Sequence, residues 1–314
     1  MAIRHNWTKE ELFEIHNGPL FELIYKAASV HRKFHDASKM QVCSLISIKT
    51  GGCPEDCKYC PQSSHYNTNV KATGYMDQED ILAQAKEAIK QGASRICLGA
   101  AIRSVRDGPQ FDKVLDTIQK LSSLGVEVCC TLGMLSKEQA EKLKKAGLFA
   151  YNHNLDTSKA FYSSIITTRT YEDRLATLEH VEKAGLSLCC GGIIGMGESL
   201  EDRMLLLLQL ATRTCHPDSV PINFLIPVVG TPLEKKKRLP IWDMVRMIAT
   251  ARIIMPKSMI RLSAGRLERS FEEQALCFLA GANSIHSGEK LLTRPNPSFE
   301  QDFEMLSLFG LEPL

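Results

Sequence analysis

The sequence predicts an α/β chain folded as a closed (β/α)8, TIM-type barrel with an N-terminal helical extension. Eight runs rich in β-forming residues alternate with amphipathic helical runs, the order that a parallel barrel requires. Several helical runs stop at a glycine, at Gly92, Gly125, Gly147 and Gly185, where a chain can turn left-handed and leave the helix. No GxGxxG fingerprint follows the first strand, which weighs against an open, doubly wound sheet. A chain of 314 residues with 44% hydrophobic content suits one large barrel with a full core.

Residues 1–40 read as a helical cap, with Thr8 and Glu11 at capping-box spacing. Residues 41–314 read as the barrel. Strands are expected at 44–49, 95–101, 126–133, 151–156, 187–194, 221–226, 259–264 and 282–287. Helices are expected at 77–91, 111–124, 137–146, 171–184, 200–212, 241–255 and 271–280, and the tail 295–314 completes the chain.

Composition narrows the function. Net charge is +2, with 38 Lys and Arg against 36 Asp and Glu. No basic tract or aromatic-interleaved patch suggests a nucleic-acid partner. The first residues lack an apolar signal region, and no apolar run reaches spanning length. The expectation is a soluble, cytoplasmic protein with reduced thiols and no membrane partner.

The most informative run is Gly51-Gly52-Cys53-Pro54-Glu55-Asp56-Cys57-Lys58-Tyr59-Cys60-Pro61. Three thiolates on one short loop can hold three irons of a 4Fe–4S cubane and leave the fourth iron free for chemistry. A structural zinc site would supply four ligands, and zinc ribbons pair two C-x2-C knuckles, of which a second is missing. A disulfide framework is a poor reading of 11 cysteines in so long a chain.

Strand parity points to a second site. Side chains alternate between the two faces of a strand. Ile96, Leu98, Val128, Cys130, Leu188, Cys190, Ile260 and Leu262 suit the apolar outer face under helices. Arg95, Cys97, Gly99, Glu127, Cys129, Thr131, Ser187, Cys189, Arg261 and Ser263 then face the lumen. Cys97, Cys129, Cys189 and Arg261 thus converge from four strands and read as a second iron–sulfur site. Buried cysteine is more commonly a small apolar residue, and Cys43, Cys130, Cys190, Cys215 and Cys277 keep that reading. Asn152, Asn154 and Asp156 alternate inward on the fourth strand, and Asn223 on the sixth. They either satisfy one another or read a polar ligand. Arg169 and Arg174 follow the fourth strand, and Arg174 is either a carboxylate partner or a solvated helix-face residue.

The spacing Cys53-x3-Cys57-x2-Cys60 resembles the signature of radical S-adenosylmethionine enzymes. Within that superfamily, longer segments are similar to the biotin synthase family: SIKTGGCPEDCKYCPQ at 47–62, YNHNLDT at 151–157, ITTRTY at 166–171, VPIN at 220–223, RLSAGR at 261–266 and GANS at 281–284. The resemblance implies a 4Fe–4S cluster on Cys53, Cys57 and Cys60 that chelates S-adenosyl-L-methionine. It implies a 2Fe–2S cluster on Cys97, Cys129, Cys189 and Arg261. By the same matching, Asn154 and Asn223 would hold the ureido ring of the substrate dethiobiotin, Asp156 the cofactor ribose and Arg174 the methionine carboxylate. Gly191, Ile193 and Gly195, in Gly191-x-Ile193-x-Gly195-x-x-Glu198, would support the adenosyl moiety.

The implied reaction is radical insertion of sulfur from the 2Fe–2S cluster into dethiobiotin, giving biotin. Cleavage of the cofactor to a 5′-deoxyadenosyl radical would start it, after an electron from an external donor of flavodoxin or ferredoxin type. The family also suggests a homodimer. Guanidinium is normally protonated and a poor ligand, so Arg261 would either ligate iron or only neutralise cluster charge. Two other readings remain at this level: a radical S-adenosylmethionine barrel with a different substrate, and a non-enzymatic iron–sulfur or zinc protein.

Overall fold

The computed structural model describes residues 3–314. α1 (Lys9–Asn17) opens with the expected capping box. The Thr8 side chain accepts from the Glu11 N–H, and the Glu11 side chain accepts from the Thr8 N–H, which satisfies two donors otherwise orphaned at the helix start. After α2 (Leu20–Phe34), β1 (Lys39–Lys49) starts well before the expected residue 44 and inside the segment expected to be cap.

There follow α3 (Gln78–Lys90), β2 (Arg95–Ala100), α4 (Pro109–Ser122), β3 (Glu127–Thr131), α5 (Lys137–Lys145), β4 (Ala150–Asn152), the short α6 (Lys159–Tyr162), α7 (Tyr171–Lys183), β5 (Ser187–Cys189) and β6 (Gly192–Ile194). Next come α8 (Leu200–Ala211), β7 (Ser219–Phe224), α9 (Ile241–Ile254), β8 (Met259–Leu262), α10 (Phe271–Leu279) and β9 (Ser284–Ser287). A hairpin of β10 (Lys290–Leu291) and β11 (Arg294–Pro295), then α11 (Phe299–Leu308) and β12 (Glu312–Pro313), complete the chain.

The strands run parallel in the order β1-β2-β3-β4-β5-β7-β8-β9, and β1 also pairs with β9, so the barrel closes. β6 pairs with β7 in the same register as β5 does: Cys189 lies opposite Ser219 and Gly192 opposite Ile222. β5 and β6 are therefore two halves of the stave expected to be continuous over 187–194. The gap falls where Gly191 meets Pro221, which has no N–H to give a ladder. A Cβ on Gly191 would stand 1.9 Å from the Pro221 carbonyl oxygen, so only glycine lets the two backbones approach.

β4 is shorter than the expected 151–156. Beyond Asn152 the chain leaves the ladder, and Asp156 takes a left-handed φ of 67°. The lost pairing is partly replaced by side chain: the Gly191 N–H donates to Asn154 Oδ1 at 3.1 Å. Asp156 also bridges back to Gly192 through its backbone.

The parity assignment matches the packing. Ile96, Leu98, Val128, Cys130, Leu188, Cys190, Ile260 and Leu262 all belong to the main apolar core between barrel and helices. Cys97, Cys129 and Cys189 form a separate inner cluster with Cys43, Ala150 and Leu45. Below them a polar plug fills the lumen. Arg95 pairs with Glu127 and donates to Ser219 Oγ, both at 2.8 Å. Gln41 donates to Glu127 at 3.3 Å. At the strands' N-terminal end, β12 pairs with the start of β1, Lys39 with Glu312 and Met40 with Pro313. Among the described residues no helix is long and apolar enough to cross a membrane.

Candidate active site

One cavity of about 350 Å³ runs from the loop after β1 down into the lumen. Its walls include Cys53, Cys57 and Cys60 at one end and Cys97, Cys129, Cys189 and Arg261 at the other, with Asn152, Asn154, Asp156, Arg174, Ile193 and Asn223 among the lining residues. Leu291, Leu292, Thr293 and Arg294 from the β10–β11 hairpin also line it. Gly191 and Gly195 do not; Gly191 is spent on the Pro221 contact, and a Cβ at Gly195 would meet Leu239 and Leu225.

The triplet loop carries no strand or helix of its own between residues 50 and 77, so isolated backbone bonds, such as Cys53 N–H to the Gln62 carbonyl at 2.9 Å, and side chains hold it. The Thr167 and Thr168 N–H groups donate to Asp56 Oδ1 at 2.9 and 3.1 Å. Burial tends to raise the Asp56 pKa, but these bonds and those of the threonine hydroxyls prevail and bring it to about 2. Buried Glu55 accepts from Arg103 at 2.9 Å and from the Thr168 hydroxyl. Arg169 donates to Cys57 Sγ at 3.7 Å, and its buried Nε has no hydrogen-bond partner. Burial pushes the thiols up, Cys57 to about 11 and Cys60 to about 12. Such thiols are poor free thiolates, yet a coordinating metal deprotonates a thiol outright. Three sulfurs beside a cationic side chain therefore fit an iron–sulfur cluster.

Asp156 lies midway along the cavity. Its Oδ2 accepts from Arg174 at 2.6 Å and from the Tyr59 hydroxyl at 2.8 Å. Arg174 is buried, not on a solvated helix face, and also donates to the Tyr162 hydroxyl at 3.0 Å. Burial opposes its charge, and Asp156 together with Tyr162, Tyr59 and Cys57 more than restores it. Asn223 is tied to backbone on both sides: it donates to the Gly192 carbonyl at 3.1 Å and accepts from the Ala264 N–H at 3.0 Å. Asn152 donates to Asn154 Oδ1 and to Cys189 Sγ, each at 3.1 Å. The inward amides therefore do satisfy one another and nearby backbone, while still forming the cavity wall.

In the lumen, Arg261 donates to Ser284 Oγ at 2.8 Å, to Gln41 Oε1 at 3.1 Å and to Cys189 Sγ at 3.7 Å. Burial works against the Arg261 charge, but the thiols of Cys43, Cys189, Cys97 and Cys129 outweigh it and raise the pKa. Cys189 is brought down to about 6, first by its hydrogen bond with Cys129, with Arg261 and Arg95 assisting against burial. Soft sulfur donors around a fixed cation suit a small iron–sulfur cluster. Among the described residues no three His, Cys, Asp or Glu side chains are drawn together tightly enough for a single metal ion.

Sequence reasoning missed several participants. Cys43, read as an ordinary core residue, is fully buried with the lumen thiols. His286 lies beside Cys97 and shares a 3.0 Å hydrogen bond with Ser263. The Glu55–Asp56 clamp on 167–169 was hidden inside motif segments whose individual roles spacing does not reveal. For Cys43, the inward parity of its neighbour Leu45 on the same strand was an available signal.

Two family models match the chain: the Radical SAM superfamily over residues 47–210, and the Biotin and Thiamin Synthesis associated domain over residues 221–312. Biotin synthase of Cytophaga hutchinsonii is 60% identical over 311 residues, spanning 99% of this chain and 92% of that protein. The mitochondrial biotin synthase of Arabidopsis thaliana is 55% identical, spanning 99% and 82%. Among solved structures, methylornithine synthase superposes with a TM-score of 0.81 at 18% identity, covering 98% of this chain and 94% of that one. The FeFe-hydrogenase maturase HydG from Carboxydothermus hydrogenoformans gives 0.80 at 16% identity, covering 98% and 76%. These two show a shared fold. The chain belongs to the biotin synthase family of radical S-adenosylmethionine enzymes.

Proposed function

We infer that this protein converts dethiobiotin to biotin by radical insertion of sulfur. The observation that carries the reading is the single cavity that joins a three-cysteine loop to a group of lumen thiols, in a chain of this family. When bound, a 4Fe–4S cluster would pass on the reducing electron, S-adenosyl-L-methionine would supply the hydrogen-abstracting radical, and a 2Fe–2S cluster the sulfur.

The residues divide the remaining work. Cys53, Cys57 and Cys60 would hold the 4Fe–4S cluster, and Cys97, Cys129, Cys189 and Arg261 the 2Fe–2S cluster. Asp156 and Arg174 bind the cofactor's ribose and carboxylate, and must part from each other, at least in part, to do so. Asn154 and Asn223 orient the ureido ring. Ile193 packs the adenosyl group, while Gly191 and Gly195 act at a distance, by setting the backbone course on either side of it. The barrel wall and the β10–β11 hairpin exclude water and stray hydrogen donors from a reactive centre. An external flavodoxin- or ferredoxin-type protein brings the electron. The chain acts as a homodimer in the cytoplasm, where its free thiols stay reduced.

The test is anaerobic reconstitution with iron and sulfide, then reductant, S-adenosylmethionine and dethiobiotin, followed by mass spectrometry. Biotin formed with 5′-deoxyadenosine is the expected result. If 5′-deoxyadenosine forms without biotin while both clusters are intact, the substrate assignment is wrong.

A further inference from the structure

We propose that Cys43 is a fourth sulfur donor of the lumen cluster site, able to take the iron position faced by Arg261 when the arginine is withdrawn. The proposal rests on reading Cys97, Cys129 and Cys189 as cluster ligands and goes beyond it.

Cys43 and Arg261 occupy the same corner of the lumen. The Cys43 sulfur stands 3.6 Å from Gln41 Oε1 and 3.8 Å from Ser284 Oγ. Arg261 donates to those same two atoms, at 3.1 and 2.8 Å. The strand registers explain the coincidence. Ser284 on β9 lies opposite Gln41 on one side and Arg261 on the other, and Cys43 follows Gln41 inward on β1. Cys43 packs with Cys97, Cys129 and Cys189 in one closed group apart from the main core. It sits just beneath the cavity floor and does not line the cavity itself.

The chemistry favours the thiol. Guanidinium carries donors only and holds its proton, whereas thiolate is the ordinary ligand of iron–sulfur clusters. Ligation by Cys43 exchanges its S–H bond for an S–Fe bond and releases the proton to solvent, with no change of oxidation state. Shortening Arg261 removes the guanidinium that shares Gln41 Oε1 and Ser284 Oγ with the Cys43 sulfur. His286 is the other candidate donor nearby, with Nδ1 engaged by Ser263 and the ring also bonded to Cys97, so the added loss on Cys43→Ala is what separates the thiol from the imidazole.

The experiment compares reconstituted full-length wild type, Cys43→Ala, Arg261→Ala, Arg261→Ala/Cys43→Ala and Cys129→Ala. The readouts are iron and sulfide per chain, and Mössbauer and absorption spectra that separate 2Fe–2S from 4Fe–4S. Circular dichroism checks the fold, and Arg261→Met, alone and with Cys43→Ala, repeats the comparison with a bulkier side chain. Cys43→Ala should hold the 2Fe–2S cluster like wild type. Arg261→Ala should retain it with a spectrum shifted towards full thiolate ligation, and the double variant should lose it about tenfold more readily. Equal retention in single and double arginine variants, or loss in folded Arg261→Ala despite Cys43, overturns the proposal. Retention in Cys129→Ala instead overturns the site reading, and the proposal with it.

Discussion

At the scale of single residues, the site is built where local rules are broken. Asp156 is a non-glycine residue with left-handed φ, a conformation that aspartate and asparagine tolerate better than most. That turn aims its carboxylate at buried Arg174. Asp156→Asn keeps the tolerated backbone and removes the charge, leaving Arg174 without its counter-ion. Removing one partner of a buried pair costs about 3–5 kcal/mol, and urea unfolding of the metal-free protein should show that loss. A change under about 1 kcal/mol would mean Arg174 finds another partner. Gly191 breaks a different rule, since its backbone lies against Pro221. Gly191→Ala forces two staves apart and should cost at least the roughly 1–3 kcal/mol typical of overpacking. It should also disturb the lumen, because the Gly191 N–H is bound by Asn154; a wild-type unfolding midpoint would contradict the close approach.

Elements show which features a sequence can carry. Parity was legible in Ile96-Cys97-Leu98, Val128-Cys129-Cys130 and Leu188-Cys189-Cys190 because a half-buried strand writes its two faces into alternate positions. The break between β5 and β6 was not, since it depends on Pro221 arriving opposite Gly191 from another stave, a contact with no local signature. Cys43 was missed for a different reason. The strand was expected to begin at Ser44, one residue too late to bring Cys43 into the parity test, and only closure of β1 against β9 brings it beside Arg261. The triplet loop is legible as a ligand set but not as a shape, because Asp56 is anchored by residues more than a hundred positions away.

The N-terminal helices make a prediction of their own. His16 on α1 and His31 on α2 have pKa values lowered to about 4 and about 3, first by burial and then by Arg246 and Arg203 near His16, with Asp243 opposing, and by Arg252, His35 and Arg32 near His31. The unfolded chain binds protons that the folded helices refuse. Their stabilising contribution is therefore complete above pH about 6.5 and is lost as pH falls towards the folded values. Each histidine should cost about 1.4 kcal/mol per pH unit in that window. Melting midpoints should fall steeply between pH 6.5 and 4, and His31→Leu should flatten the slope. An unchanged slope would show that acid unfolding begins elsewhere.

The whole molecule behaves as one container whose wall comes from both ends of the chain. The cavity is lined by the loop that follows β1 and by the hairpin at 290–295, with staves from between them. The hairpin is tied to the barrel from behind: the Asn296 amide donates to the His286 and Gly288 carbonyls at 3.1 and 3.0 Å, and buried Arg266 pairs with Asp302 on α11. A ligand that only the closed barrel can bind stabilises the folded state by about 2.7 kcal/mol at a hundredfold excess over its Kd. For a domain of this size that corresponds to roughly 5–10 °C in melting midpoint, at about 2–4 °C per kcal/mol. Anaerobic, cluster-loaded protein given S-adenosylmethionine and dethiobiotin together should show such a rise. Hydrogen exchange should slow in both the 50–76 loop and the 288–297 hairpin, although they are distant in sequence. Protection confined to the loop would mean that the cofactor binds but the hairpin takes no part in enclosing the substrate.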